Sequence, residues 1–461
     1  LVLLLGALAA AVLLMPPRPL GAVALGATCF IVVGMLWPSV ALALVLLSVP
    51  LQDYGAVDIG VGEITATRLA VVALALSHTV NVAFGRVPVQ IRPVAWAHLA
   101  VIAALMISVV HAVDLGAWAG EVYRWTVAGI VYVIAESILR SHSARRTALF
   151  VVGLGVLTTS VIGFVQVATV TGPPSYVVGG LMRAHATFGA PNTFAAFLEL
   201  SVPLLFVVSL VPDASMNDLA WLRWWCRLAS VAGVVALVLT QSRGGILGFA
   251  VALVVVAIAS GGFVRLATAC GLLIACGALL LPAGESFRSR FADIALTQDR
   301  PVNVTPATWA NQERAAHWGA GLRMMAHYPA TGVGAGQYNL RYREFTPTWR
   351  FRIPRGHAHN GYIHMGAQAG IVGLVAMSGF VATSIAVTAR ALAANRRRRT
   401  AAVPLGALAV VVAFSVHSLV DYLNVLSLSL QLAVIVALAT ATPLGHPWMS
   451  TESNKGVGAI R

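Results

Sequence analysis

The chain reads as an all-α, polytopic transmembrane bundle of about twelve to fourteen helices with one large hydrophilic segment late in the sequence. Three observations predict it. Of 461 residues, 59% are hydrophobic and 10% are charged, whereas a soluble domain carries roughly 25% charged residues; too little polar surface exists to cover a water-facing exterior. Apolar runs close to the ~20 residues needed to cross a ~30 Å hydrocarbon core recur along the chain. The ionisable side chains gather at loops and at one boundary instead of being spread over helix faces.

Spans fall near 1–15, 20–36, 39–51, 66–84, 93–111, 118–137, 147–170, 191–211, 226–241, 246–262, 265–282, 360–388, 402–419 and 423–443. The first three are short. Two of them meet at Trp37 and Pro38 and form either a re-entrant pair or a broken helix, which sets the range in the helix count. The run at Leu1 leads into Pro16-Pro17-Arg18-Pro19 and lacks a basic start and a small-residue cleavage site, so a span is expected there and not a cleaved signal peptide. The chain therefore divides into N-terminal helices (1–282), a large extracytoplasmic loop with short helices (283–359), and C-terminal helices with a cytoplasmic tail (360–461).

Orientation follows from the basic loops, because Lys and Arg in short connections stay cytoplasmic. Arg390 with Arg396-Arg397-Arg398-Arg399 is the strongest marker, and Arg140, Arg145 and Arg146 form the second; Arg223, Arg227, Arg86 and Arg92 fit the same side. The loop with Asp53, Asp58 and Glu63, residues 171–190, the turn at 242–245 and the segment 283–359 then lie outside. The net charge of +14 partly reflects these anchors and calls for no nucleic-acid partner. Cys29, Cys270 and Cys276 lie in apolar spans and Cys226 near the inner face, with neither a metal-ligand spacing nor a disulfide framework, so all four are read as small core residues.

The outer face carries the chemistry. Residues 313–325 have helical spacing, with Trp318, Leu322 and Met325 on one face and Arg314 beside it, and Pro329 ends that helix. Thr331-Gly332-Val333-Gly334-Ala335-Gly336 is a glycine-rich turn, read either as a structural turn or as a phosphate cradle. Arg355-Gly356-His357-Ala358-His359-Asn360 stands where the chain re-enters the membrane. An imidazole there suits a general base near neutral pH; zinc binding by His357 and His359 lacks a third ligand at a familiar spacing. Arg243, in the turn Gln241-Ser242-Arg243-Gly244-Gly245, and Arg183, just ahead of a helix, are placed at the outer boundary, where a guanidinium donates paired hydrogen bonds to phosphate or snorkels to headgroups.

These residues together carry a resemblance. His359-Asn360, nine residues, Gly370, two residues and Gly373 resemble the signature of the O-antigen ligase and polymerase superfamily, and Ser242-Arg243-Gly244 and the run from Arg314 to Gly336 are similar to two further patterns of that family. The resemblance covers the chain from about Arg183 onward. It implies a metal-independent, inverting glycosyltransferase without cofactor. The donor would be a glycan on undecaprenyl pyrophosphate, and the acceptor a hydroxyl at the outer face of the cytoplasmic (inner) membrane. By the same resemblance, His359 activates the acceptor; Arg243 and Arg314, with Arg183 as a weaker assignment, hold the donor pyrophosphate; and His357 and Asn360 support the site. Lipid A core is the first acceptor to expect, which would make the chain an O-antigen ligase; a second lipid-linked repeat or a protein hydroxyl would make it a polymerase or an oligosaccharyltransferase. A transporter of lipid-linked glycan or solute is the reading from another class, and for it Arg68, His98, Glu136 and His417 are the intramembrane groups to inspect.

Overall fold

The computed structural model describes residues 32–34, 36–51, 57–58, 63–87, 90–211, 219–280, 309–346, 349–396, 400–425 and 427–441. Among them lie fourteen α-helices: α1 (Pro38–Ser48), α2 (Ala66–Ala83), α3 (Pro93–Ile107), α4 (Leu115–Ile138), α5 (His142–Thr169), α6 (Pro191–Leu210), α7 (Ala220–Thr240), α8 (Arg243–Ala259), α9 (Gly262–Leu280), α10 (Trp309–His327), α11 (Tyr338–Phe345), α12 (Gly361–Arg396), α13 (Ala402–His417) and α14 (Leu428–Thr440). Two antiparallel hairpins of two-residue strands, 57–58 with 63–64 and 177–178 with 181–182, are the strands present in these residues. The expected spans 1–15 and most of 20–36 lie outside the described residues, as do Arg397 to Arg399 and residues 281–308.

Among the described residues, six helices are long and apolar enough to cross a membrane: α2, α3 with the 3-10 turn that follows it, α5, α6, α7 and α12; α1, α8, α9, α13 and α14 are apolar but shorter. Helix α4 is 24 residues long but carries Glu121, Arg124 and Glu136. Local chemistry sets the helix starts. Pro38, Pro93 and Pro191 occupy first-turn positions, where a missing N–H costs nothing. Asp114 Oδ1 accepts the N–H groups of Gly116 and Ala117 at the head of α4, and Ser242 caps α8 through Gly245. Gln241 takes the left-handed conformation that ends α7, so the chain passes from α7 to α8 through two capping residues, Gln241 and Ser242.

Helix α6 is the centre of the bundle and packs against α7, α8 and α13; Phe194, Phe197, Leu198, Leu204 and Leu205 are buried along it. The two ends of the bundle differ in charge. At one end Arg92 pairs with Glu136 at 3.0 Å, Arg145 donates to the Ala441 carbonyl at 3.0 Å and Arg227 to the Ser209 carbonyl at 3.2 Å, and Arg396 reaches the Ala259 carbonyl. These are the basic loops assigned to the inside. Arg183, Arg243, Arg314 and His359 collect at the other end.

The glycine-rich turn resolves in favour of structure. Helix α12 is two helices joined at a kink, with Ala369 and Gly370 outside helical geometry and Gly370 at φ 65°. The carbonyls of Ala367 and Gln368, freed by the kink, accept the N–H groups of Val333 and Gly334 at 2.8 and 3.1 Å, and the Ile371 N–H donates to Pro329 at 2.7 Å. Any Cβ on Gly332 would strike the Ala367–Ala369 backbone, so close approach between the two strands of chain requires glycine there. Gln337 extends the clamp, its Oε1 accepting the N–H groups of Val113 and Asp114. The signature spacing from His359 to Gly370 and Gly373 thus records a kinked helix gripped by the outer segment, not a phosphate cradle.

Small residues let α10 lie close on α12: its buried face is Ala316, His317, Ala320, Gly321 and Met324, and Leu322 is exposed. One expectation needs correction. The last span begins at Leu428 instead of 423. Residues 418–425 belong to a connection at the outer end, and it holds the carboxylate around which the site is built.

Candidate active site

The site begins with Asn360, whose Oδ1 caps α12 by accepting the N–H groups of Tyr362 and Ile363 at 3.0 and 2.9 Å. Its Nδ2 donates to the Leu419 carbonyl at 2.7 Å, and the Gly361 N–H donates to Ser418 at 2.7 Å. One side chain thereby joins the head of α12 to the 418–425 connection and sets His359 against Asp421. His359 itself holds φ 51°, a left-handed backbone that costs a non-glycine residue about 1–3 kcal/mol and gathers at functional positions. Trp318 on α10 fixes that turn by donating its indole N–H to the His359 carbonyl at 2.9 Å.

Asp421 is 6% exposed and uses both oxygens. Oδ1 takes His359 Nδ1 at 3.3 Å and the Tyr422 N–H at 2.9 Å; Oδ2 takes Asn192 Nδ2 at 3.3 Å and lies 3.7 Å from Arg314 Nη2. Burial alone would raise the carboxyl, but the His359 hydrogen bond, with the Arg314 guanidinium nearby, outweighs it and holds Asp421 well below the usual carboxylate range. An ionised carboxylate on Nδ1 keeps the proton there and leaves the Nε2 lone pair to accept one. His357 plays a different part. Its Nδ1 accepts the His359 backbone N–H at 3.2 Å, so the 3.9 Å approach of the same atom to Asp421 is a contact and not a bond. Burial, opposed by Asp421, lowers His357 to about 4, and it stands as a neutral prop.

The three predicted arginines arrive at this centre by separate routes. Arg314 touches Asp421 directly. Arg243 donates to Asn311 Oδ1 at 2.7 Å, one turn before Arg314 on α10. Arg183 donates through Nε to the Thr240 carbonyl at 2.8 Å and through Nη2 to Asn192 Oδ1 at 3.0 Å, and Asn192 is the residue that reaches Asp421. Aromatic rings flank the histidines: His317 meets His359 edge-on at 5.4 Å and stacks on Tyr342 at 4.4 Å, while Tyr422 lies 4.2 Å from His364 and 5.7 Å from His357 between ring centroids. Burial lowers His317 to about 3. The sequence reading omitted Asp421, Asn192, His317 and Tyr422. A carboxylate in the short turn between the last two spans, on the side already chosen as outer, was the available signal for the first.

The third metal ligand that the spacing failed to supply is present in space, since His357, His359 and Asp421 offer ligand atoms within 4.8 Å of one another. The donor set fits a cation poorly. His357 Nδ1 is occupied by a backbone N–H, and the Arg314 guanidinium beside the carboxylate repels a second positive charge. Deeper in the bundle, a cavity of about 20 Å³ between Trp125, Phe380, Phe414, Leu423 and Leu432 has room for a water but not for a lipid tail.

Residues 228–378 match the O-antigen ligase family. The superfamily resemblance read from the motifs is supported over this segment, which holds Arg243, Arg314, His357, His359 and Asn360, and the family is one of glycosyltransferase- and ligase-type enzymes. Arg183, Asn192 and Asp421 lie outside the matched residues, so their membership of the site comes from the fold. No curated protein matches the chain.

Proposed function

We propose that the protein is a glycosyltransferase that moves a glycan from undecaprenyl pyrophosphate to an acceptor hydroxyl at the outer face of the inner membrane, with lipid A core as the acceptor, without metal or cofactor. The observation that carries this reading is the His359–Asp421 pair set beside Arg314 in a multi-pass bundle whose matched segment is of the O-antigen ligase family. His359 Nε2 accepts the proton of the attacking hydroxyl as the oxygen bonds to the anomeric carbon; the bond to the pyrophosphate oxygen breaks, and Arg314, with Arg243 close by, offsets the charge that develops on the leaving group. Asp421 positions the imidazole and stabilises it once protonated. Direct attack by the activated hydroxyl is one displacement, and one displacement inverts the anomeric centre.

A transporter needs mobile charge near the midplane. The intramembrane groups here are instead held in place: His98 Nδ1 lies 3.0 Å from the carbonyl of Val94 in its own helix, Glu136 pairs with Arg92 and His417 with Glu199. Arg68 stands at the head of α2, where its own N–H meets the Thr65 cap.

The test is transfer by purified protein in nanodiscs, supplied with lipid-pyrophosphate glycan, EDTA, and either lipid A core or a second lipid-linked repeat. Product on lipid A core supports the ligase reading, product on the repeat alone makes the protein a polymerase, and product only after divalent metal is restored overturns metal independence. Replacing Arg314 with Lys is expected to raise the donor KM about tenfold or more, because a point charge replaces the paired donors of a guanidinium; an unchanged KM would reduce the role to charge alone.

A further inference from the structure

A second cation is linked to the histidine centre through Glu121 and Tyr422. Arg124 lies on α4, about nine residues or ~14 Å along the helix from its outer end, and its side chain is 43% exposed while the Glu121 carboxylate it pairs with is 2% exposed. Glu121 is held in turn by the Tyr422 hydroxyl, which donates to Oε1 at 2.9 Å; Asn424 donates to the same hydroxyl at 3.3 Å. Because Tyr422 follows Asp421 and its ring lies against His357 and His364, one run of contacts joins Arg314, Asp421, His359, His357, Tyr422, Glu121 and Arg124. Above Arg124, toward the outer end of the helix, Gly120 has open space where a side chain would stand, and Gly116 is crowded only by its own capping aspartate. Residues 116, 120 and 124 are spaced by four and share one helix face, so the approach to the guanidinium is floored by glycine.

An arginine this far along a membrane helix is costly and is retained where it has a partner to hold. Glu121 supplies part of that partner, but the exposed part of the guanidinium faces outward and not into the protein. Inversion requires the attacking hydroxyl to approach from the face of the sugar opposite the leaving pyrophosphate. With the pyrophosphate at Arg314 and Arg243, the acceptor belongs at the Tyr422 and Arg124 end of the contact chain.

We propose that Arg124, positioned by Glu121 and Tyr422, binds an anionic group of the acceptor, a phosphate or carboxylate near the reacting hydroxyl, so that the enzyme selects negatively charged glycan acceptors. This rests on the transferase reading, and the experiment separates the two. Binding and transfer are measured in phosphatidylcholine nanodiscs with lipid A core, native or chemically dephosphorylated, for wild type, Arg124→Gln and Arg124→Lys. The expected result is that Arg124→Gln weakens binding of the phosphorylated acceptor and raises its KM at least tenfold, leaves the donor KM alone, and removes the difference between the two acceptor forms, with Arg124→Lys recovering part of the preference. A wild type that prefers the phosphorylated acceptor in binding yet transfers nothing would leave the anion site standing and overturn the transferase reading. Equal preference for the phosphorylated form in wild type and Arg124→Gln would overturn the anion site. If adding phosphatidylglycerol to the nanodiscs abolishes the wild-type preference, the arginine holds a lipid headgroup and the acceptor assignment is wrong.

Discussion

Two histidine–carboxylate pairs, His417 of one lying four residues before Asp421 of the other, serve opposite ends. His417 Nδ1 meets Glu199 Oε2 at 2.5 Å with both side chains sealed, 1% and 0% exposed. A Cβ on Gly244 would strike the His417 ring and one on Gly248 would strike the Glu199 carboxylate, so α8 is pressed against the pair along its first turns. His359 and Asp421 make a longer contact, 3.3 Å, with the histidine 18% exposed, and their carboxylate is shared with Asn192 and neighboured by Arg314. The chemistry of the two pairs is the same. Access and shared partners separate them: one pair ties α6 to α13 beneath the site, the other leaves its histidine partly exposed at the outer end.

The contrast is sharpest under substitution of each carboxylate. Asp421→Asn keeps the shape but removes the charge that holds the Nδ1 proton, and turnover is expected to fall about 10²- to 10³-fold with little change in melting temperature; a variant with near-normal turnover would make His359 independent of Asp421. Glu199→Ala leaves His417 buried and unpaired, and is expected to destabilise the protein by roughly 3–5 kcal/mol while the protein that remains folded keeps its specific activity. Loss of activity without loss of stability would move the sealed pair into the catalytic machinery.

A smaller effect separates prop from base. His357 is lowered from its ordinary value of 6.5 to about 4, first by burial, so the unfolded chain binds a proton in that interval that the folded one does not. Stability contributed by neutral His357 is therefore complete above pH 6.5 and is lost as pH falls toward 4, by on the order of 2–3 kcal/mol. Thermal melts of wild type and His357→Gln across this window are expected to show a shallower slope in the variant. Equal slopes would mean that other groups carry the dependence.

Most of the helical scaffold was legible, because each crossing needs its own apolar run and the runs at 66–84, 191–211 and 402–419 reappear as α2, α6 and α13 almost to the residue. Of the motif residues, Arg243 stood out as a polar group between two apolar runs, whereas His359 and Arg314 lie in polar sequence and stood out through the family resemblance. Asp421 did not, since a carboxylate in a turn is ordinary and only the Asn360–Leu419 and Gly361–Ser418 contacts bring it across to His359. Glu121 and Arg124 were hidden within a run read as a plain span, and their link to the site runs through Tyr422, which no spacing along the chain reveals. Hydrophobicity does not reveal which face of α10 is buried, because close helix approach there selects Ala, Gly and a histidine.

The central claim is that His359 is the base, and glycan transfer by purified His359→Ala, in nanodiscs and with unchanged melting behaviour, tests it most directly. The account predicts a fall of about 10²- to 10⁴-fold in turnover with the donor still bound; turnover within a fewfold of wild type would place the proton acceptor elsewhere and contradict it.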